Sequence, residues 1–321
     1  MSRTISPATG KPYGLAAVCR VWRLARSGVY RHLSVPPTAQ RRGPLGAMSD
    51  DALTTAIQGV LAASPFHGEG HRKVWAQLRY AGTRTSLRRV LRLMRQNDLL
   101  APTRVGSPRG PRNHDGTIIP ATVDMMWGTD LTTTITGEGH AAVFVAVDHC
   151  SAECVGIHAH AQANRFQALE PIRQGVRQRF GGFAKAIAHG LSVRHDHGSQ
   201  YMSHQFQKEI AFLGIESSPA FVRAPEGNGC AERFIRTLKE NLLWVRTFKT
   251  IEELRQALLA FRETYNDTWL VERHGYLSPA EYRRRQLQSG VPKTAGGTGA
   301  ASRLRNSALG CTSSGCFECW E

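Results

Sequence analysis

The chain has 321 residues, 41% of them hydrophobic, and carries 41 Lys and Arg against 25 Asp and Glu, a formal net charge of +16. This length and apolar content suit two domains with real cores and exclude a disordered polyelectrolyte, while the basic excess asks for a polyanionic partner, nucleic acid first. No stretch approaches the roughly 18 apolar residues of a spanning helix, and the N-terminus lacks the apolar segment of a signal peptide, so no membrane contact and a cytoplasmic location are expected.

The charge is concentrated at the front. Residues 1–120 hold 19 Lys and Arg against 5 Asp and Glu, and the remaining 201 hold 22 against 20. Residues 14–33 mix apolar positions at helical spacing with Arg20, Arg23, Arg26 and Arg31, a short basic helical unit. The Pro- and Gly-rich stretch 35–46 reads as a linker, so residues 1–48 form a basic N-terminal segment.

Ser49, followed by acids in the first turn, caps a helix through the early 60s. A second helix is predicted over 71–80, and a third from Ser86 to Asn97, where Leu87, Val90, Leu91 and Met94 form an apolar stripe. Arg88, Arg92 and Arg95 lie on another face of that third helix. Two helices joined by a short glycine-containing turn, the second with an arginine row, match a helix-turn-helix with its recognition helix. Residues 49–118 are therefore read as a DNA-binding region that ends in the Pro-, Gly- and Arg-rich stretch 101–120.

Three strands follow, at 123–133, 141–148 and 153–160, the first two forming a hairpin around Gly137 and Gly139. Then come a helix at 164–179, a strand over Leu191–Asp196, a helix at 203–213, a strand near 215–221, a long helix from 228 to 245, and a helix at 251–266 capped by Thr250. The order predicts an α/β fold, a mixed sheet flanked by helices, in a core spanning 119–285. The Gly-, Ser- and Thr-rich residues 286–321 are expected to be a disordered tail. Seven cysteines at irregular spacings suit free thiols, and Cys311, Cys316 and Cys319 in the tail make only a partial zinc site.

Three acids stand out. Asp130 lies inside a strand beside Trp127 and Leu131, where an unpaired carboxylate is costly to bury. Asp196 ends an apolar-leading strand, a place where sheet proteins gather ligands. Glu232 shares one face of its helix with Asn228, Arg236 and Lys239, an acid for a metal beside side chains expected to contact DNA. Sixty-five residues separate Asp130 from Asp196, and thirty-five separate Asp196 from Glu232. Asp148 and Glu226 are weaker candidates, the first facing a turn and the second lying outside the helix. His195 and His197 flank Asp196, but alternation along a strand turns neighbours to the opposite face.

With this spacing, with the Trp127-x-x-Asp130 strand, with Gly198, Ser199, Gln200 and Tyr201 after Asp196, with Asn228 to Glu232 and Lys239 seven residues on, and with Tyr265-Asn266 and HGYLSPAEY at 274–282, the sequence resembles insertion-sequence transposases that have a retroviral-integrase-type core, the kind read from a second, frameshifted frame. The stretches HRKVWAQLRYAG and VLRLMRQNDLLAP resemble the helical region before that core, and the likeness covers roughly residues 15–285.

The resemblance implies an RNase H-like core with a five-stranded mixed sheet. It implies metal-dependent strand cleavage at element ends followed by strand transfer, with Asp130, Asp196 and Glu232 holding two Mg²⁺ ions, for which Mn²⁺ substitutes. Lys239 would contact phosphate near the cut. Duplex DNA, as terminal repeats and as target, is the implied partner, together with further copies of the chain and an upstream-frame protein. The segment 269–276 departs from the commoner proline-containing form, and the zinc-binding N-terminal domain of the retroviral type is absent. Two other readings compete: a catalytically inactive DNA-binding protein that occupies element ends, and an RNA–DNA hybrid nuclease, which the helix-turn-helix disfavours.

Overall fold

The computed structural model describes residues 3–33, 48–102, 118–220 and 228–289. The linker at 35–46, most of the 101–120 boundary, Glu226 and the three tail cysteines lie outside the described residues. The chain divides into two compact units, residues 1–64 with 68–103 and residues 65–67 with 104–321.

In the first unit the basic front segment is two helices, α1 (Leu15–Val21) and α2 (Arg26–Leu33). The break falls where Arg23 takes a left-handed conformation, φ 51°, and Leu24 N–H donates back to the Cys19 carbonyl at 2.9 Å, a closure that ends a helix. Helix α3 (Asp50–Ala63) starts at Ser49, whose hydroxyl accepts from Ala52 N–H at 3.2 Å. Helices α4 (His71–Tyr80) and α5 (Leu87–Gln96) complete a small bundle, its core made by Leu53, Ile57, Val74, Leu78, Val90, Leu93 and Met94. On α5 the buried positions are Val90, Leu93 and Met94, so the seat is rotated from the expected stripe: Leu93 goes in and Leu87 and Leu91 stay half-buried.

The second unit holds a five-stranded sheet in the order β3-β2-β1-β4-β5. Its strands are β1 (Met126–Thr136), β2 (Gly139–Asp148), β3 (Cys154–His160), β4 (Ser192–His195) and β5 (Glu216–Pro219). The first three run antiparallel, while β4 and β5 run parallel to β1 and to each other. Strand β2 is covered on both faces, which is why AAVFVAV is a continuous apolar run. Ala141, Val143, Val145 and Val147 join one core with Phe234, Leu238 and Phe261; Ala142, Phe144 and Ala146 join another with Trp127, Leu169, Ile172 and Tyr201.

The flanking helices are α6 (Arg165–Phe180), the short α7 (Ser199–Met202), α8 (His204–Phe212), α9 (Gly229–Leu238), α10 (Ile251–Thr268) and α11 (Pro279–Ser289). Asn164, Ser203 and Thr250 cap α6, α8 and α10 with side-chain oxygens, each satisfying amides that the helix leaves open. The long helix expected over 228–245 changes at Leu238 into a π turn, Lys239–Leu243. The wider turn keeps Leu243 on the same buried side as Leu238, which α-helical spacing would not.

Helix α11 runs through Ser289, four residues into the stretch expected as tail. It is anchored by a tertiary contact. Arg283 is buried against Asp124, donating to it through two nitrogens, one of them at 3.1 Å, and it approaches Glu153 at 3.6 Å. Glu153 also pairs with Arg179. The segment 269–276 is likewise structural: Arg273 donates to the His149 carbonyl at 2.8 Å, and His274 bonds the Cys150 carbonyl at 3.0 Å while its ring stacks on Tyr282. Among the described residues Cys19, Cys150, Cys154 and Cys230 are free and buried, and no helix is long and apolar enough to cross a membrane.

Candidate active site across two parallel strands

Strands β1 and β4 pair in parallel with Met126 opposite Ser192, Trp127 opposite Val193 and Gly128 opposite Arg194. Carried two residues further, the same register brings Asp196 level with Asp130. Alternation along each strand then puts Gly128 and Asp130 on one face, with Trp127 and Thr129 on the other. A side chain at Gly128 would strike Asn228 Oδ1 and come within 2.6 Å of His149 Nε2, so the face that carries Asp130 is the one covered by the start of α9. A glycine inside a strand is a sequence signal for close approach; here it admits the helix.

Asp130 is half-buried and accepts from Leu131 N–H at 2.8 Å. Burial is the main force pushing its carboxyl up to about 6; the charge of Asp196 adds to it, and the Leu131 amide and the Lys239 ammonium oppose it. Asp196 is exposed and accepts from Gly198 N–H at 2.8 Å. The turn after β4 therefore presents the carboxylate outward. A Cβ at Gly198 would lie 2.8 Å from Asp196 Oδ1, so a larger residue there would displace that carboxylate.

The histidines beside Asp196 differ in role. His195 is buried, bonding the Asp196 carbonyl at 2.6 Å and Ser217 Oγ at 2.9 Å, and packs on Tyr201 and Phe206. Burial holds its ring below the usual histidine range. It supports the strand end from the opposite face, as alternation requires, while His197 is exposed. Tyr201 is wholly buried, with its hydroxyl 3.5 Å from Thr129 Oγ1.

On α9 the four residues expected on one face have unlike surroundings. Asn228, expected to touch DNA, is buried and turned inward: its amide donates to the Thr129 carbonyl at 3.0 Å. A side chain held this way between helix and strand has little surface left for a phosphate. Glu232 stands in the first turn, exposed. Arg236 is exposed and pairs with Glu240 at 3.0 Å, and Lys239 is half-buried. The fold thus draws Asp130 and Asp196 together and covers their face with the helix that bears Glu232. Among the described residues no group of three or more His, Cys, Asp or Glu side chains is arranged to hold a metal ion.

The weaker candidate Asp148 is fully buried and accepts from Ser151 N–H and Oγ and from Asp124 N–H at 2.6 to 2.8 Å, which makes it the organiser of a turn. In the first unit Arg88 and Arg95 are exposed, whereas Arg92, with Arg89, is tied to Asp50, at 2.7 Å in its own case.

Residues 121–225 match the integrase core domain family, residues 213–279 match a second integrase core domain model, and residues 49–106 match an HTH-like domain. The chain is 27% identical over 288 residues to the transposase InsD for insertion element IS2A/D/F/H/I/K of Escherichia coli, covering 87% of this chain and 94% of that protein. It is 26% identical over 295 residues to the insertion element IS2A uncharacterized 48.2 kDa protein of E. coli, covering 89% of this chain and 68% of that protein. Among solved structures, the catalytic core domain of BIV integrase aligns with a TM-score of 0.38 at 19% identity, over 52% of this chain and 97% of that one.

Proposed function

We propose that this chain, which belongs to the insertion-sequence transposases built on an integrase core, cuts DNA at the ends of its element and joins the freed ends to new DNA, with Asp130, Asp196 and Glu232 as its metal-binding acids. The feature that carries this reading is the pair of carboxylates, Asp130 inside β1 and Asp196 just past the end of β4, which the β1–β4 register, carried two residues on, sets level. Their mutual repulsion helps push Asp130 up to about 6, and a cation between them would remove it.

The donor set suits a hard divalent ion: carboxylate oxygens partly open to water, with the neighbouring imidazole of His195 facing away. Two Mg²⁺ ions, or Mn²⁺ in their place, would supply there a nucleophile at neutral pH and neutralise charge on the phosphorus. Glu232, on the helix over that face, would complete the set. The Lys239 ammonium, close enough for Asp130 to feel it, would hold the phosphate beside the cut, with Arg236 farther along the strand.

In the first step a water oxygen bonds to phosphorus and the 3′ oxygen leaves as the free hydroxyl. In the second, that 3′ oxygen bonds to a phosphorus of the target and the target's own 3′ oxygen leaves. Residues 119–285 would do this chemistry, and residues 49–118, through Arg88, Arg92 and Arg95, would hold the duplex. Joining two ends calls for more than one copy of the chain, and an upstream-frame protein would add to the assembly.

The test is nicking of labelled element-end DNA, taken from the inverted repeats flanking the gene, with Mg²⁺. Wild type should nick; Glu232→Gln and Asp130→Asn should bind the ends and leave them intact. Equal nicking by Glu232→Gln would remove that residue from the site. A wild-type chain that binds the ends without nicking them would instead be the inactive occupant of element ends.

A further inference from the structure

We infer that Trp244 is a nucleotide-contacting residue, its exposed indole stacking on an unpaired base of the strand whose phosphate lies at Lys239. The inference rests on the reading of the site as a DNA-cutting centre and adds to it a side chain outside the acidic set.

Trp244 is 69% exposed and Val245 56%, in a stretch where Leu238, Leu243 and Phe248 are buried and Leu242 is half-buried. Single exposed apolar residues are ordinary, so exposure alone carries nothing. The turn that presents Trp244 is what sets it apart. Its backbone N–H donates to the Lys239 carbonyl at 2.9 Å and closes the π turn. At about 4.4 residues per turn, five positions leave two side chains about 50° apart, against about 140° in an α-helix. The turn therefore swings Trp244 onto the side of Lys239, whose charge reaches Asp130. Such turns are rare and are frequently found at functional places.

The surroundings favour a polyanion as occupant. From Arg233 to Lys249 there are five cations, Arg233, Arg236, Lys239, Arg246 and Lys249, against the single acid Glu240; Glu253, from α10, pairs with Arg246 at 3.1 Å. An aromatic ring set among cations is how proteins hold unpaired nucleic acid: the ring takes the face of a base while the cations follow the backbone. Bases inside a duplex are already stacked on each other and have no face to offer. A strand end that is cut and then carried to a new phosphodiester does have one.

The test titrates the full chain, without divalent metal, into a labelled oligothymidylate and into a blunt duplex. Trp244→Ala and Trp244→Leu should weaken oligothymidylate binding about 5- to 100-fold, the range of one base–aromatic stack. Trp244→Phe should restore most of it, and duplex affinity should stay unchanged in all three. Leucine keeps the apolar contact and loses the ring, so wild-type binding by Trp244→Leu overturns the inference. So does a Trp244→Ala chain that binds oligothymidylate normally but sediments as a smaller species, since the indole would then join copies of the chain. Asp130→Asn should bind oligothymidylate like wild type, so a failure to nick DNA and a failure of stacking are read separately.

Discussion

The side-chain amide of Asn228 donates to the main-chain carbonyl of Thr129 across 3.0 Å, and so pins the helix that bears Glu232 to the strand that bears Asp130. The contact exists because Gly128, one residue before Thr129, has no side chain to keep Asn228 and His149 away.

Loosening that pin should cost both stability and chemistry. Asn228→Ala leaves a buried carbonyl without its donor, a loss of about 1–3 kcal/mol, and Gly128→Ala forces a methyl group into a filled space at a similar cost of about 1–3 kcal/mol. Urea unfolding should show both. Each variant should also slow strand cleavage more than it weakens DNA affinity, because it shifts Glu232 relative to Asp130. Wild-type unfolding midpoints for both would mean that the helix is held elsewhere.

Asp130 should lower the stability of the metal-free protein. A carboxyl raised to about 6 in the fold stays protonated in the native state while the unfolded chain has already released its proton, so stability falls as pH rises from about 4 to about 6 and then levels off. Asp130→Asn keeps an oxygen for the Leu131 amide and cannot ionise. Above pH 6, in chelator, it should be more stable than wild type by on the order of 1–2 kcal/mol after allowance for solvent screening, and the gap should close near pH 4. Thermal melts at several pH values measure this directly; a gap that widens toward acid would reverse the argument.

Arg283 should matter far more than an ordinary helix-end arginine. It is 7% exposed and faces both Asp124 and Glu153, so Arg283→Met leaves Asp124 without its cation and Glu153 with Arg179 alone, at a cost of about 3–5 kcal/mol. Because Asp124 also accepts from the Trp127 indole at 3.1 Å, the start of β1 should loosen as well. Adding Asp124→Asn to Arg283→Met should cost less than the two single changes together. Strict additivity in denaturant unfolding would show that the pair is not coupled.

The arginines of α5 should divide by their partners. Arg88→Ala and Arg95→Ala remove exposed cations, and each should lower the slope of log affinity against log salt for duplex DNA by about 1. Arg92 is shared with Asp50, so Arg92→Ala should change the slope less and destabilise the small bundle slightly. Equal slopes for all three variants would mean that the Asp50 pair opens on DNA.

What the chain determines locally was legible in its sequence. Ser49 and Thr250 cap helices because a short polar side chain reaches its own next-turn amides, and the run AAVFVAV declares a strand. Those signals, with the resemblance carried by the motifs, were enough for the two domain types, and the spacing of the three acids named the residues now proposed for the site. The rest depends on partners far along the chain. Only the β1–β4 register, carried two residues on, levels Asp196 with Asp130, only packing turns Asn228 inward and opens the helix at Lys239, and only tertiary contact buries Arg283 of α11. Periodicity and caps are written over a few residues; which groups meet across a sheet is decided by the volume and charge left for them when the core closes.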